Sequence, residues 1–206
     1  WDAIVAGRSI NVVVGPPGVG KTFLISHLVK SILGKTRDAR LLVSAQNHET
    51  LIQMEHELKK TLAGGPEIVV RVDRTRPTDV VTSLRTNSVG LRKSVSVAGH
   101  AAESAMVNQR HQIKQALQPV DPAETVVADR VFRDTENLLL RSSDVTLATT
   151  SSHIIEEMIA DGDQFDWVIV EEAARANGAE LIGALLLGNR RIVVGDHNQL
   201  SPFDVY

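Results

Sequence analysis

The sequence predicts an α/β domain built on a mostly parallel β-sheet with helices on both faces. Three observations carry this expectation. Short apolar, β-branched runs alternate along the chain with stretches of helical periodicity, the pattern of repeated β-α-β units. A glycine-rich octad, Gly15-Pro-Pro-Gly-Val-Gly-Lys-Thr22, stands between the first such run and the first helical stretch. Two later apolar runs end in polar, acid-bearing turns, Glu171-Glu172 and Asp196-His-Asn-Gln199. That is how parallel strands end when their carboxyl ends face a ligand.

Taken in order, Ile10 to Val14 reads as a buried parallel strand. From Lys21, the residues Phe23, Leu24, Leu28 and Ile32 recur at helical spacing, with Gly34 as the stop. Arg40 to Ala45 reads as a second strand, and His48 to Leu62 as a helix with Leu51, Met54, Leu58 and Leu62 on one face. Gly64-Gly65 ends that helix, and Ile68 to Val72 is a third strand. Asp144 to Thr149 is a strand followed by a helix near Ser152 to Ala160, and Asp166 to Glu171 is the next strand. Asn177 caps a helix running to Leu187 with Gly188 at its end, and Arg191 to Gly195 is the last strand.

Residues 85 to 140 break this rhythm. They are polar and rich in Ala, Gln, Arg and Glu, with little strand character. Helices at about 101–117 and 123–141, separated by Pro119 and Pro122, suggest a helical insertion within one domain spanning residues 1–206. A long excursion of ordinary surface helices is the alternative. The composition is that of a globular domain, 43% hydrophobic and 23% charged over 206 residues. A net charge of −3 argues against a globally basic nucleic-acid binder but leaves room for a local basic groove. The lack of cysteine excludes disulfides and thiolate metal sites. No run approaches the length of a membrane span and no signal peptide is visible, so an intracellular setting, cytoplasmic or nuclear, is expected. The chain opens on Trp1 without an initiator Met, and a fragment of a longer protein is expected.

The octad fits the pattern G-x-x-x-x-G-K-[ST] in full. In such a loop Gly15, Pro16, Pro17, Gly18, Val19 and Gly20 bring backbone N–H groups around phosphate oxygens. Lys21 supplies a charge to the β- and γ-phosphates, and the Thr22 hydroxyl can ligate Mg²⁺. The helix that follows turns the positive end of its dipole toward the anion. Beside such a loop, Glu171 is assigned to the metal and Glu172 to orienting and deprotonating the attacking water. Asp196 and Gln199 lie on the third turn, where a glutamine can hydrogen-bond the γ-phosphate or the water. Gly195 is read as permitting that turn. The bland readings are a chance surface loop, the solvated start of a helix, and an ordinary strand exit.

Together and in this order, the motifs resemble the first RecA-like motor domain of superfamily 1 helicases. The branch is the one that includes the nonsense-mediated-decay and Okazaki-fragment helicases, which move 5′ to 3′. That family shows GPPGTGKT, a strand ending in DEAxQ, and GDxxQLPP, where this chain shows GPPGVGKT, EEAAR and GDHNQLSP. The resemblance runs from Ala3 to Pro202 and is weakest across residues 75 to 140. It implies a RecA-like P-loop domain that binds ATP with Mg²⁺ and grips single-stranded RNA or DNA. It also implies a second RecA-like domain in the same protein, which supplies arginine fingers. The segment Leu42-Val-Ser-Ala-Gln-Asn-His48 resembles the family's VxAPSN turn, which places Gln46, Asn47 and His48 at the nucleic-acid backbone. Val145 to Ser151 resembles a later VxxxT segment, which places Thr149 and Thr150 near the same track. Two departures stand out. Glu171 replaces an Asp, which shifts the metal-binding carboxylate by a methylene, and Arg175 replaces a Gln. The family's adenine-contacting Gln falls just ahead of Trp1. The alternatives are a P-loop ATPase that remodels or switches without moving on nucleic acid, and a scaffold that no longer hydrolyses.

Overall fold

The computed structural model describes residues 8–16, 18–74, 93–98, 138, 140–196 and 198. Among them the chain forms one seven-stranded sheet in the order β1-β7-β6-β2-β5-β3-β4. The strands are β1 (Ile10–Val14), β2 (Leu41–Ala45), β3 (Val69–Arg74), β4 (Lys93–Ala98), β5 (Val145–Thr149), β6 (Phe165–Glu171) and β7 (Gly188–Gly195). The helices are α1 (Lys21–Lys35), α2 (His48–Thr61), α3 (His153–Ala160) and α4 (Gly178–Leu186), with one 3₁₀ turn at Ala173–Arg175. All strand pairs are parallel except β3 with β4.

The strand side chains alternate between two cores. Leu41, Val43 and Ala45 of β2 join Leu147, Ile169 and Ile192 on one face, against Ile25, Leu28, Val29 and Ile32 of α1 and Leu51, Met54 and Leu58 of α2. Leu42, Ala148, Val168 and Val170 join Ile154, Ile155 and Met158 of α3 and Ala184 of α4 on the other. The period of two in the strands and 3.6 in the helices thus brings the apolar stripes of α1 and α2 to one face and those of α3 and α4 to the other. Every residue of β2 and β5 is buried, as expected of central strands covered on both sides. The helix starts agree with the sequence signals. Asn47, Ser152 and Asn177 each accept a hydrogen bond from a first-turn N–H, those of Thr50, Ile154 and Glu180.

Four details differ from the sequence reading. β1 is an edge strand rather than a buried one, and Ile10, Val12 and Val14 are more than half exposed. α1 runs through Gly34 to Lys35, with Thr36 as its cap. Gly188 opens β7 instead of ending a helix. A Cβ there would fall 2.5 Å from Val168 Cγ2, so the close approach of β7 to β6 requires glycine. β4 lies inside the stretch read as lacking strands, and it pairs antiparallel with β3 from Val69↔Ala98 to Arg74↔Lys93. The helix read at 101–117 lies outside the described residues. Of the one at 123–141, only 138, 140 and 141 are described, and these are helical. No helix among the described residues is long and apolar enough to cross a membrane.

Candidate nucleotide site and its neighbouring turns

The register places the motifs side by side. Ala45 of β2 pairs with Thr149 of β5 and Glu171 of β6, and Val14 of β1 pairs with Gly195 of β7. All are carboxyl ends of parallel strands, so the turns that follow open at one edge of the sheet, where open α/β sheets take ligands.

The glycine-rich loop leaves β1 with the Gly15 N–H donating to the Gly195 carbonyl at 3.1 Å. Gly18 and Gly20 have φ of 77° and 82°, a left-handed region costly for residues with a Cβ. Gly20 is the N-cap of α1, and its carbonyl accepts from Leu24 N–H. No acidic residue lies in the first turn of α1, so its positive end is not neutralised by its own sequence. The Lys21 ammonium donates to the Gly15 and Pro16 carbonyls at 2.9 and 3.0 Å, which folds it back over the loop. Val19 and Gly20 are exposed with Gly18, while Pro17 lies outside the described residues.

Thr22 and Glu171 meet directly. The Thr22 hydroxyl donates to Glu171 Oε1 at 2.8 Å, across 149 residues of sequence. Glu171 is only 4% exposed. Its Oε2 is buried and has no hydrogen-bond partner. Burial pushes its proton affinity up, and neighbouring Glu172 adds to this, while the Thr22 hydroxyl and Lys21 act in the opposite direction. An unsatisfied, buried carboxylate oxygen beside a hydroxyl offers two oxygen ligands of the kind that suits a divalent cation. Mg²⁺ is commonly held by one or two protein oxygens with substrate phosphates. Among the described residues no cluster of three or more metal-ligating acids or histidines exists, so phosphate oxygens would complete such a shell.

Glu172 adopts φ 55° and ψ 32°, the left-handed region, and is the one described non-glycine residue with positive φ. Such outliers collect where the surrounding structure dictates a side-chain direction. Its Oε2 accepts from Asn47 Nδ2 at 2.9 Å and from Thr50 Oγ1 at 3.1 Å. Its Oε1 lies 3.7 Å from Arg175 Nη1. Arg175, which stands in place of the family's Gln, therefore turns its guanidinium to the acid beside it.

Gln46 and Asn47 are half-buried and His48 exposed on the turn after β2. The Thr150 N–H donates to the Ala45 carbonyl at 2.9 Å, joining this turn to the end of β5. The side chains of Thr149 and Thr150 are themselves buried, and the Thr150 hydroxyl lacks a partner. Asp196 is buried and its Oδ1 accepts from the Asn198 N–H at 3.0 Å, which shapes its own turn. Gly195 ends β7 without a positive φ, so its conformational freedom is not what makes that turn. Gln199 lies outside the described residues. Thr50 was not singled out from sequence. The cap pattern puts it three residues after Asn47, but nothing local signals a partner 122 residues away.

Residues 98–204, just over half of the chain, match the AAA domain family. The chain is 26% identical over 199 residues to regulator of nonsense transcripts 1 of Caenorhabditis elegans, covering 96% of this chain and 17% of that protein. It is 26% identical over 204 residues to the ATP-dependent helicase NAM7 of Saccharomyces cerevisiae, covering 96% of this chain and 19% of that one. The chain thus spans under a fifth of the length of these curated relatives. Among solved structures, a nuclease-deletion mutant of the Type ISP restriction-modification enzyme LlaGI, in complex with a DNA substrate mimic, matches with a TM-score of 0.52. It is 16% identical and covers 99% of this chain and 17% of that one, a likeness of fold. With its phosphate loop, acid pair and third turn gathered at one sheet edge, the chain belongs to the AAA domain family, as a RecA-like P-loop domain of the superfamily 1 helicase kind.

Proposed function

We propose that this chain is the ATP-binding motor domain of an ATP-dependent helicase or translocase that moves on single-stranded RNA or DNA, in the 5′-to-3′ direction of the family it resembles. The observation that carries the reading is the bond from Thr22 to Glu171, with Glu172 held next to it at the mouth of a complete phosphate loop. Gly15 to Gly20 cradle the phosphates, and Lys21 exchanges its loop carbonyls for β- and γ-phosphate oxygens. Thr22 and Glu171 would hold Mg²⁺, which supplies neutralisation of the charge that develops on those oxygens. Glu172 orients a water and takes its proton as the water oxygen bonds to the γ-phosphorus and the bond to ADP breaks. Gln199, with Asp196 shaping its turn, senses the γ-phosphate. Gln46, Asn47, His48 and the Thr149-Thr150 turn lie along the adjoining strand ends. There the side chains of Gln46 and His48 and the backbone of these turns suit phosphate and sugar contacts that carry no base preference, while the buried Thr149 and Thr150 and the engaged Asn47 amide shape the turns. A second RecA-like domain of the same protein closes over the nucleotide.

The test is ATP turnover by the full-length protein with single-stranded RNA, single-stranded DNA and neither. One single strand is expected to stimulate turnover, and Lys21→Ala to lower the stimulated rate by about 10² or more, as for loss of a principal charge-stabilising group. Stimulated turnover left intact in Lys21→Ala overturns the assignment of the loop.

A further inference from the structure

We propose that Asn47 and Thr50 are positioning residues for Glu172, forming a clamp that fixes one carboxylate oxygen and so sets the direction of the other, which Arg175 flanks at 3.7 Å, for its meeting with the water. A glutamate has three rotatable side-chain bonds, and a base that wanders loses the geometry its proton transfer needs. Here the backbone of Glu172 sits in the left-handed region, and two donors from the first turn of α2 converge on Oε2 at 2.9 and 3.1 Å. Oε1 is turned instead toward Arg175.

The orientation of the Asn47 amide follows from its other bond. Asn47 Oδ1 accepts the Thr50 N–H at 2.7 Å as the cap of α2. The oxygen must face the helix, so the NH₂ must face away from it, and it meets Glu172 there. Thr50 serves both ends of the same device. Its backbone N–H holds Asn47 in place, and its hydroxyl holds Glu172 directly. Helix cap and carboxylate clamp are one set of three hydrogen bonds among Asn47, Thr50 and Glu172, built by the start of α2 and the turn after β6.

The consequence deepens the function proposed above and rests on it. The turn that carries Asn47 also carries Gln46 and His48, assigned to the nucleic-acid backbone. A strand that settles on this turn fixes the start of α2, and with it the base. The clamp therefore joins strand grip to the rate of the chemical step without altering nucleotide binding.

The experiment is steady-state ATP turnover by the full-length protein at saturating single strand, with Glu172→Gln as reference. Thr50→Val keeps the shape and the backbone cap but removes the hydroxyl donor. Asn47→Asp keeps a capping oxygen but replaces the amide donor by an acid facing Glu172. Each is expected to lower kcat by about tenfold, within the range that a misplaced general base costs, with KM for ATP within about twofold of wild type. Thr50→Ser, which restores the hydroxyl, is expected to recover most of the loss. Wild-type kcat in Thr50→Val and Asn47→Asp overturns the clamp, as does equal loss in Thr50→Ser and Thr50→Val. If Glu172→Gln turns over like wild type, the base assignment falls and the clamp with it. If Glu172→Gln is inactive while Thr50→Val is unaffected, only the clamp falls.

Discussion

Glu171 is the residue whose physics is most exposed to test. Its carboxyl group is buried beside Thr22, with one oxygen unsatisfied, and burial is the leading cause of its raised proton affinity. A carboxyl group that holds its proton more tightly folded than unfolded makes the native state the better proton binder. Stability then falls as pH rises from the ordinary glutamate value near 4.5 through the higher folded value. Asp144, raised chiefly by burial, acts in the same direction. In nucleotide-free protein, Glu171→Gln removes this term and keeps the size and the hydrogen-bond acceptor. The variant is expected to melt higher than wild type at pH 7.5, by roughly 2 to 4 °C. The gap is expected to close as pH is lowered toward 4.5. A calorimetric pH series that shows equal melting temperatures throughout would remove the buried, uncompensated carboxylate from the account. The residue proposed to hold the cation is thus a local liability in nucleotide-free protein.

At the scale of elements, the two apolar runs INVVV and LLVSA read alike in sequence but have different fates. β2 sits between β5 and β6 and is buried throughout, while β1 has β7 as its neighbour in the sheet order and exposes every second side chain. Val43 is 0% exposed and Val12 67%. Val43→Ala is expected to cost about 2 kcal/mol, for lost burial plus the cavity left behind. Val12→Ala is expected to stay within about 0.5 kcal/mol, both read from urea unfolding midpoints. The difference was not legible because hydrophobic runs announce a strand and not its place in the sheet. Where a residue's local geometry carries the signal, reading succeeded. Asn177 caps α4, and the phosphate loop sits between β1 and α1 as its pattern requires. Where the signal depends on a distant partner, reading stopped short. Gly188 looked like a helix stop because glycine commonly is one, but Val168 of the adjacent strand is what demands it. Thr50 carries no local mark in the sequence, and Glu172 reaches it only through the fold.

For the whole molecule, the arrangement of charge around the acid pair sets what this chain can do by itself. On the proposed reading, the phosphate loop, Lys21, Thr22 and Glu171, which the fold brings together, hold the nucleoside triphosphate. Cleavage asks for more, because charge builds on the oxygens of the γ-phosphate as the bond to ADP breaks, and cations placed there stabilise it. Beside the acid pair, Arg175 lies 3.7 Å from Glu172 Oε1, so its charge is directed at that carboxylate. On the proposed reading such cations come from a second RecA-like domain, and the relatives are more than five times the length matched here. Residues 1–206 are therefore expected to bind an ATP analogue in a filter or calorimetric assay. Their hydrolysis of ATP is expected to be about 10³-fold or more below that of the full-length protein with single strand, the range that arginine fingers supply. Lys21→Ala in the same short chain is expected to abolish the binding, which separates a formed cradle from a misfolded one. Turnover by residues 1–206 equal to that of the full-length protein would mean that Arg175, or another arginine of this chain, already serves the phosphate.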